Sequence, residues 1–203
     1  MSAPLGVRRR LHAVLALICG VLLVAACSGS PSGSTPVSDN PEDADSILAE
    51  YGLAGLEPAE LIDRLDATPV ADRPDGLMAS VRPDQLVIRD AEGTQAALPL
   101  PADQFYLSVA PYQGSTHDCF FHSLTTCRGE LRNADIHVTV TNTDTGEVII
   151  DQAMRTFDNG FAGMWLPAGI QAELTISHEG RVHTSQISTG ADDATCITTA
   201  KLT

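Results

Sequence analysis

Lysine is almost missing from this chain: Lys201 is the only one in 203 residues. Basic side chains number 12 against 26 acidic ones, a formal charge of −14. Neutralising phosphates, whether of nucleic acid or of lipid headgroups, takes clustered Lys and Arg, so this scarcity excludes a nucleic-acid surface and a polybasic membrane patch. Three of the twelve, Arg8, Arg9 and Arg10, lie in a leader expected to be removed, which would take the charge to −17. Motifs are lacking too. There is no G-x-S-x-G, no H-E-x-x-H and no phosphate-cradling glycine loop, and the carboxylates form no paired constellation. Hydrolase chemistry of those kinds has no foothold, which argues against an enzyme of those classes. Also absent is any C-x-x-C, which weakens thioredoxin-like and zinc-knuckle readings. Aromatic residues make up only 4% of the chain. Trp165, Phe157 and Phe161 are therefore expected to anchor whatever β core forms.

The chain does have a leader. After the three arginines, Leu11 to Val24 is an apolar run shorter than the roughly 20 residues that cross a bilayer, the pattern of a secretory signal peptide. Val24-Ala25-Ala26-Cys27 resembles a bacterial lipobox, which makes Cys27 the expected lipidated N-terminus of the mature protein. Several acyl chains then anchor it to the outer face of the cell membrane, its only membrane contact. Cleavage by an ordinary signal peptidase and an uncleaved anchor are the alternatives. Residues 28–45, SGSPSGSTPVSDNPEDAD, hold almost nothing apolar and are expected to be a solvated tether reaching about 20–25 Å.

Cysteine arithmetic is the most informative step. With Cys19 lost in the leader and Cys27 lipidated, the folded part keeps Cys119, Cys127 and Cys196. An exported protein with an odd number has a free thiol or a site that wants thiolates. One reading is a Cys119–Cys127 disulfide with Cys196 buried and inert. The other comes from the surroundings, HDCFFHSLTTCRGEL over residues 117–131. Thiolates beside imidazoles select Cu(I), and less strongly Zn(II). Three sulfurs suit Cu(I); zinc wants a fourth ligand, which His117 or His122 would supply as a Cys₃His site. Arg128 favours the thiolate, and Phe120 and Phe121 offer apolar cover. The remaining histidines carry less. His137 lies on the polar face of an alternating stretch and is read as solvated. His178 and His183 flank a hairpin turn and are read as ordinary polar residues. Met154 and Met164 are too sparse for a methionine-rich copper motif.

The segment YLSVAPYQGSTHDCFFHSLTTCRGEL, Tyr106 to Leu131, resembles the signature of the CueP-type copper-binding proteins of the bacterial cell envelope. TCITTAKL (195–202) and PVADRPDGLMASVRPDQL (69–86) are similar to other segments of that family. The resemblance implies that Cys119, Cys127 and Cys196 are the copper ligands. It also implies copper sequestration and handover in the periplasm or envelope, copper resistance, reduction of Cu(II), and a homodimer formed through the N-terminal part. A recipient such as an envelope superoxide dismutase is a family-level expectation. The lipobox and tether would make this a membrane-tethered version.

The rest reads as an α+β scaffold. Residues 46–104 are expected to form a small unit. It has a helix over Ala44–Tyr51, another from Glu57 to about Leu65 with Pro58 in its first turn, and short strands at 77–81, 85–89 and 96–100. Ile47, Leu48, Tyr51, Leu61, Ile62 and Leu65 supply its apolar faces. With no His and no Cys, it offers no metal ligand. Residues 105–203 alternate with period two at Ile136/Val138/Val140 and Ala172/Leu174/Ile176. Turns at Asn142–Gly146 and Glu179-Gly180 predict a mainly antiparallel sandwich or barrel carrying the cysteines.

Two functions from different classes follow. One is a copper-binding module that holds Cu(I) on three thiolates, with stoichiometric Cu(II) reduction as a variant. The other is a metal-free interaction lipoprotein stapled by a disulfide.

Overall fold

The computed structural model describes residues 37, 38 and 40–203. The leader, Cys27 and most of the expected tether lie outside them. No helix among the described residues is long and apolar enough to cross a membrane.

Two short helices come first. In α1 (Pro41–Ala49) the Asn40 side chain accepts from the Glu42 N–H, and Pro41 starts the first turn, where its missing N–H costs nothing. The helix thus begins three residues before the expected Ala44, and residues 41–45 belong to it rather than to the tether. Ser38 also bridges to Ala96. In α2 (Pro58–Ala67) the buried face is Leu61, Ile62, Leu65 and Asp66: an apolar stripe with one carboxylate on it.

β1 (Met78–Val81), β2 (Gln85–Arg89) and β3 (Gln95–Pro99) form a three-stranded antiparallel sheet. Packed with both helices it makes the first apolar core, with Ala44, Ile47, Leu48, Leu61, Ile62, Leu65, Val81, Leu86 and Ile88 inside.

The remaining strands are β4 (Gln104–Val109), β5 (Asp135–Asn142), β6 (Val148–Arg155), β7 (Ala162–Pro167), β8 (Gln171–His178), β9 (Arg181–Ser188) and β10 (Cys196–Ile197). They build a sheet of order β10-β4-β7 and another of order β6-β5-β8-β9. All pairings are antiparallel except β10 on β4, where Cys196 lies opposite Ser108. The expected alternations hold: Ile136, Val138 and Val140 meet Ala172, Leu174 and Ile176 in a second core. At the β8–β9 hairpin, Glu179 and Gly180 both have positive φ, 50° and 80°, the twist that two-residue hairpins favour. Two α-helices followed by mostly antiparallel sheets, sandwich-like, are the α+β architecture expected.

β4 is the wall that both cores share. Phe105, Leu107 and Val109 point into the sandwich, while Tyr106 joins the first core. Period-two geometry sends Ser108 to the same side as Tyr106. β7 divides likewise, with Ala162, Met164 and Leu166 in the sandwich and Trp165 packed on the first core. The aromatic anchors expected for the sandwich are therefore elsewhere. Trp165 donates its indole N–H to Asp63 of α2 at 2.9 Å, Phe157 is only half-buried, and Phe161 is buried among the cysteines. Phe105 and aliphatic strand residues such as Leu107, Val138, Leu166 and Leu174 fill the sandwich instead. Alternating aliphatic side chains suffice where two sheets close on each other.

Gly163 of β7 is required by this arrangement. A Cβ there would overlap the Tyr106 hydroxyl and lie 3.0 Å from Asp66 Oδ2. Gly163→Ala is expected to destabilise the fold by about 1–3 kcal/mol through overpacking. Urea unfolding checks this as a lower midpoint at unchanged m.

Candidate metal centre

The long connection between β4 and β5 carries two of the three cysteines and both expected histidines. Its course is held at several points. Residues 122–124 run along the free edge of β1, with Val81 N–H donating to His122 O at 2.8 Å and Leu124 N–H to Ala79 O at 2.9 Å. The Thr195 hydroxyl accepts from the His122 N–H at 3.0 Å and donates to Val81 O at 2.7 Å. The next residue, Cys196, is thereby brought to the loop. Residues 123–127 close a turn, Cys127 N–H to Ser123 O at 3.1 Å, and the Ser123 N–H points at Cys127 Sγ at 3.4 Å. Arg73 donates to Cys127 O at 2.9 Å. Further on, Gly160 (φ +84°) leaves room for backbone alone, since a Cβ there would sit 2.6 Å from the Gly129 carbonyl. On the outer side, the Glu130 carboxylate accepts the N–H groups of Gln113, Gly114 and Ser115, ordering the approach to His117.

The three cysteines are free thiols with no disulfide among them. Cys119 Sγ and Cys127 Sγ lie 3.5 Å apart, and Cys196 Sγ lies 3.9 Å from His122 Nδ1. Among the described residues, two sets of donors are close enough to hold an ion. His117, Cys119 and Cys127 form one; His122, Cys127 and Cys196 form the other; within each, the donor atoms lie within 4.8 Å of one another. Cys127 belongs to both. The second set is buried throughout. Two members of the first, His117 and Cys127, line a cavity of about 450 Å³ together with Thr116, Arg128 and Glu130.

Phe161 supplies the apolar cover expected of Phe120 and Phe121. It is fully buried, with its ring 4.6 Å from that of His122 and 6.1 Å from that of His117. Phe120 is exposed and stacks edge-on against Phe121, over which Arg82 lies.

Asp66 is the functional residue that sequence reasoning missed. Reaching in from α2, its Oδ1 accepts from His122 Nε2 at 2.9 Å and from Asn159 Nδ2 at 2.7 Å. Its Oδ2 accepts from the Tyr106 hydroxyl at 2.7 Å and the Ser108 hydroxyl at 3.1 Å. Each carboxylate oxygen thus has two donors, which is what an ion at 0% exposure needs. The legible signal was a lone carboxylate on the apolar stripe Leu61-Ile62-Leu65. Residues 46–104 contain no His or Cys, yet one of their carboxylates holds the candidate ligand His122 in place.

The electrostatics follow from these contacts. Burial pushes the Asp66 carboxyl up, but the His122 imidazolium and the hydrogen bonds outweigh it and hold the group below its ordinary value. Burial likewise pulls His122 down, and Asp66 more than reverses this, raising it to about 9. Among the sulfurs, the thiols of Cys119 and Cys196 donate to Cys127, which is lowered, with His122 adding to the effect. Cys119, as donor, is raised to about 12, and Cys196 is raised too. The negative charge settles on the sulfur common to both donor sets.

The other described histidines, His137, His178 and His183, stand apart from both sets. His137 is exposed and pairs with Asp151 at 2.6 Å. His178 Nδ1 contacts Asp135 O, and His183 Nδ1 contacts Lys201 O.

Thiols and imidazoles converging on one another are the donor set of a soft-metal-binding protein. The family model described as "Periplasmic copper-binding protein CueP" matches residues 60–201, a span that includes Asp66, both histidines and all three cysteines. The chain belongs to the CueP family of periplasmic copper-binding proteins. A solved structure described as "Crystal Structure of S.CueP" is similar to it, with a TM-score of 0.73 and 38% identity over 79% of this chain and 97% of that one. No curated protein matches the chain.

Proposed function

We propose that this protein sequesters Cu(I) in the periplasm through Cys119, Cys127 and Cys196, with His117 and His122 as auxiliary ligands, and hands it on. The observation that carries this reading is the convergence of three free thiols from two distant segments, with two imidazoles within ligand distance. Soft monovalent copper accepts low coordination and prefers such donors. Asp66 behind His122 is the carboxylate–imidazole pairing that orients a metal-binding histidine. With Nε2–H donating to the carboxylate, Nδ1 is the ring atom that faces Cys196, and it gives up its proton to take an ion.

Exchange by ligand substitution lets a partner take the ion without its release to water. An envelope cuproenzyme such as a superoxide dismutase is the kind of recipient, and relief of copper stress is the benefit. The same thiols balance a reduction. Two Cu(II) each gain one electron, Cys119 and Cys127 lose two protons and two electrons, and a disulfide forms. The 3.5 Å separation of the sulfurs favours this pair. Lipidation at Cys27 and the tether that follows would keep the protein at the membrane, and residues 46–104 would supply the homodimer contact beside the metal-binding residues 105–203.

The deciding experiment titrates the reduced protein anaerobically with Cu(I) against a coloured chelator. Copper retained by the wild type and lost in the triple Cys→Ser variant is the expected result. No retention, with a full thiol count, overturns the reading.

A further inference from the structure

The two donor sets have the same ligand types and share Cys127, but they differ in burial and in how firmly the histidine is held. We propose that they are two successive copper positions, an outer one for exchange and an inner one for storage, with Cys127 as the pivot ligand that stays bonded as the ion moves between them. This rests on the copper reading above and assigns separate roles within it.

The first observation is geometric. His117, Cys119 and Cys127 form one set of mutually close donors, and His122, Cys127 and Cys196 form another. Each set by itself satisfies a three-coordinate monovalent ion. The second is access. The 450 Å³ cavity is lined by His117 and the shared Cys127, and by none of Cys119, His122 and Cys196, so His117 is the ligand that solvent reaches first. Cys119 is half-buried, whereas His122 is at 0% and Cys196 at 2% exposure. A donor or acceptor protein inserting a side chain from solvent therefore meets the outer set.

The third observation is preorganisation. His122 is fixed at both ends of its residue: Asp66 holds Nε2, Thr195 holds the backbone N–H, and Val81 bonds the carbonyl. Phe161 packs against the ring. His117 has no carboxylate partner among the described residues. Its closest described neighbour of that kind of packing is the same Phe161, at the longer ring distance of 6.1 Å. A rigid donor set holds an ion tightly because little ordering remains to be done, and a looser one exchanges it quickly.

The step itself balances without a change of oxidation state. Copper on His117, Cys119 and Cys127 gains His122 Nδ1 and Cys196 Sγ and loses His117 and Cys119. The proton given up by Cys196 is taken by Cys119 as it leaves, and the Nδ1 proton of the His122 imidazolium is taken by the departing His117. The Cu–Cys127 bond is never broken, so no free Cu(I) appears. Release to a partner is the reverse path.

The test separates equilibrium from rate. Wild type, His117→Ala, Cys119→Ser and Cys196→Ser are loaded anaerobically with Cu(I). Their affinities are measured by competition with bicinchoninate, and copper transfer to and from that chelator is followed by stopped flow. The surface residue His117 is the variant least able to disturb folding. His117→Ala and Cys119→Ser are expected to slow both loading and release about tenfold while weakening affinity less than Cys196→Ser does. Cys196→Ser is expected to weaken affinity at least about tenfold, in its release rate. A Cys119→Ser loss of affinity as large as that of Cys196→Ser means a single three-sulfur site and overturns the proposal, as do wild-type transfer rates in both outer variants. Either failure leaves wild-type copper retention intact, whereas failure of the copper reading abolishes it.

Discussion

Replacing Asp66 by Ala should be among the most damaging single changes in this protein. The carboxylate is at 0% exposure and accepts four side-chain hydrogen bonds, from His122, Asn159, Tyr106 and Ser108. Alanine strands all four donors and leaves the His122 imidazolium without its counter-charge. Removing one partner of a buried ion pair costs about 3–5 kcal/mol, because the orphaned charge has nowhere to go. Asp66→Asn preserves the volume and one acceptor oxygen. It puts an NH₂ group against donors, however, so it should cost less stability while still releasing His122 from its orientation. Loss of such a supporting carboxylate lowers metal affinity about 10–100-fold. Urea unfolding of the apo protein and a Cu(I) competition titration of both variants measure the two effects. A stable Asp66→Ala protein with wild-type copper affinity would show that the carboxylate is a bystander.

Cys127→Ser should have the largest effect on copper itself. Cys127 is the one sulfur common to both donor sets. It is also the one on which the thiolate charge settles, through the donated thiols of Cys119 and Cys196 and the nearby His122. A serine hydroxyl is a hard, poorly acidic donor that does not replace a thiolate toward Cu(I). Each remaining set then has one sulfur and one imidazole, and the expected loss is at least about 10²-fold in affinity, roughly 2.7 kcal/mol. Stability should change little by comparison, since Ser is close in volume and the turn at 123–127 is held by backbone bonds. The same chelator titration gives the affinity, and a thermal unfolding curve of the apo variant separates ligand loss from misfolding. Retained wild-type affinity in Cys127→Ser would place copper somewhere other than this cluster.

Much of the scaffold was legible in advance, for local reasons. Period-two alternation at Ile136–Val140 and Ala172–Ile176 reports which side chains face a core, and Glu179-Gly180 reports a tight turn, because both are properties of a few adjacent residues. β2 at Gln85–Arg89 appears where it was expected. The misplacements have equally local causes. Pro41 after Asn40 is a helix start that the acidic, apolar-poor stretch around it disguised. Trp165 was put in the sandwich because a large aromatic residue suits any core. Which core it enters depends on strand phase, and its neighbours Met164 and Leu166 already fill the sandwich side.

The donor chemistry was legible as well. His117, Cys119, His122 and Cys127 lie within eleven consecutive residues, and thiols beside imidazoles select soft metals wherever the chain folds. Composition argues against a phosphate-binding surface, since that depends on how many cations exist to be clustered. What the amino-acid order could not reveal is contact between distant parts. Cys196 reaches the loop because β10 pairs parallel to β4 and Thr195 bonds both His122 and Val81. Asp66 reaches His122 because β4 is buried on both faces, turning Phe105, Leu107 and Val109 to one core and Tyr106 and Ser108 to the other. Such contacts are free energies of packing between segments. They depend on which surfaces exclude water together, and no local spacing records that. Residue types and strand pattern are local and were readable from residue order. Tertiary packing decided which candidate ligands lie together, how deeply each is buried and which carboxylate stands behind them.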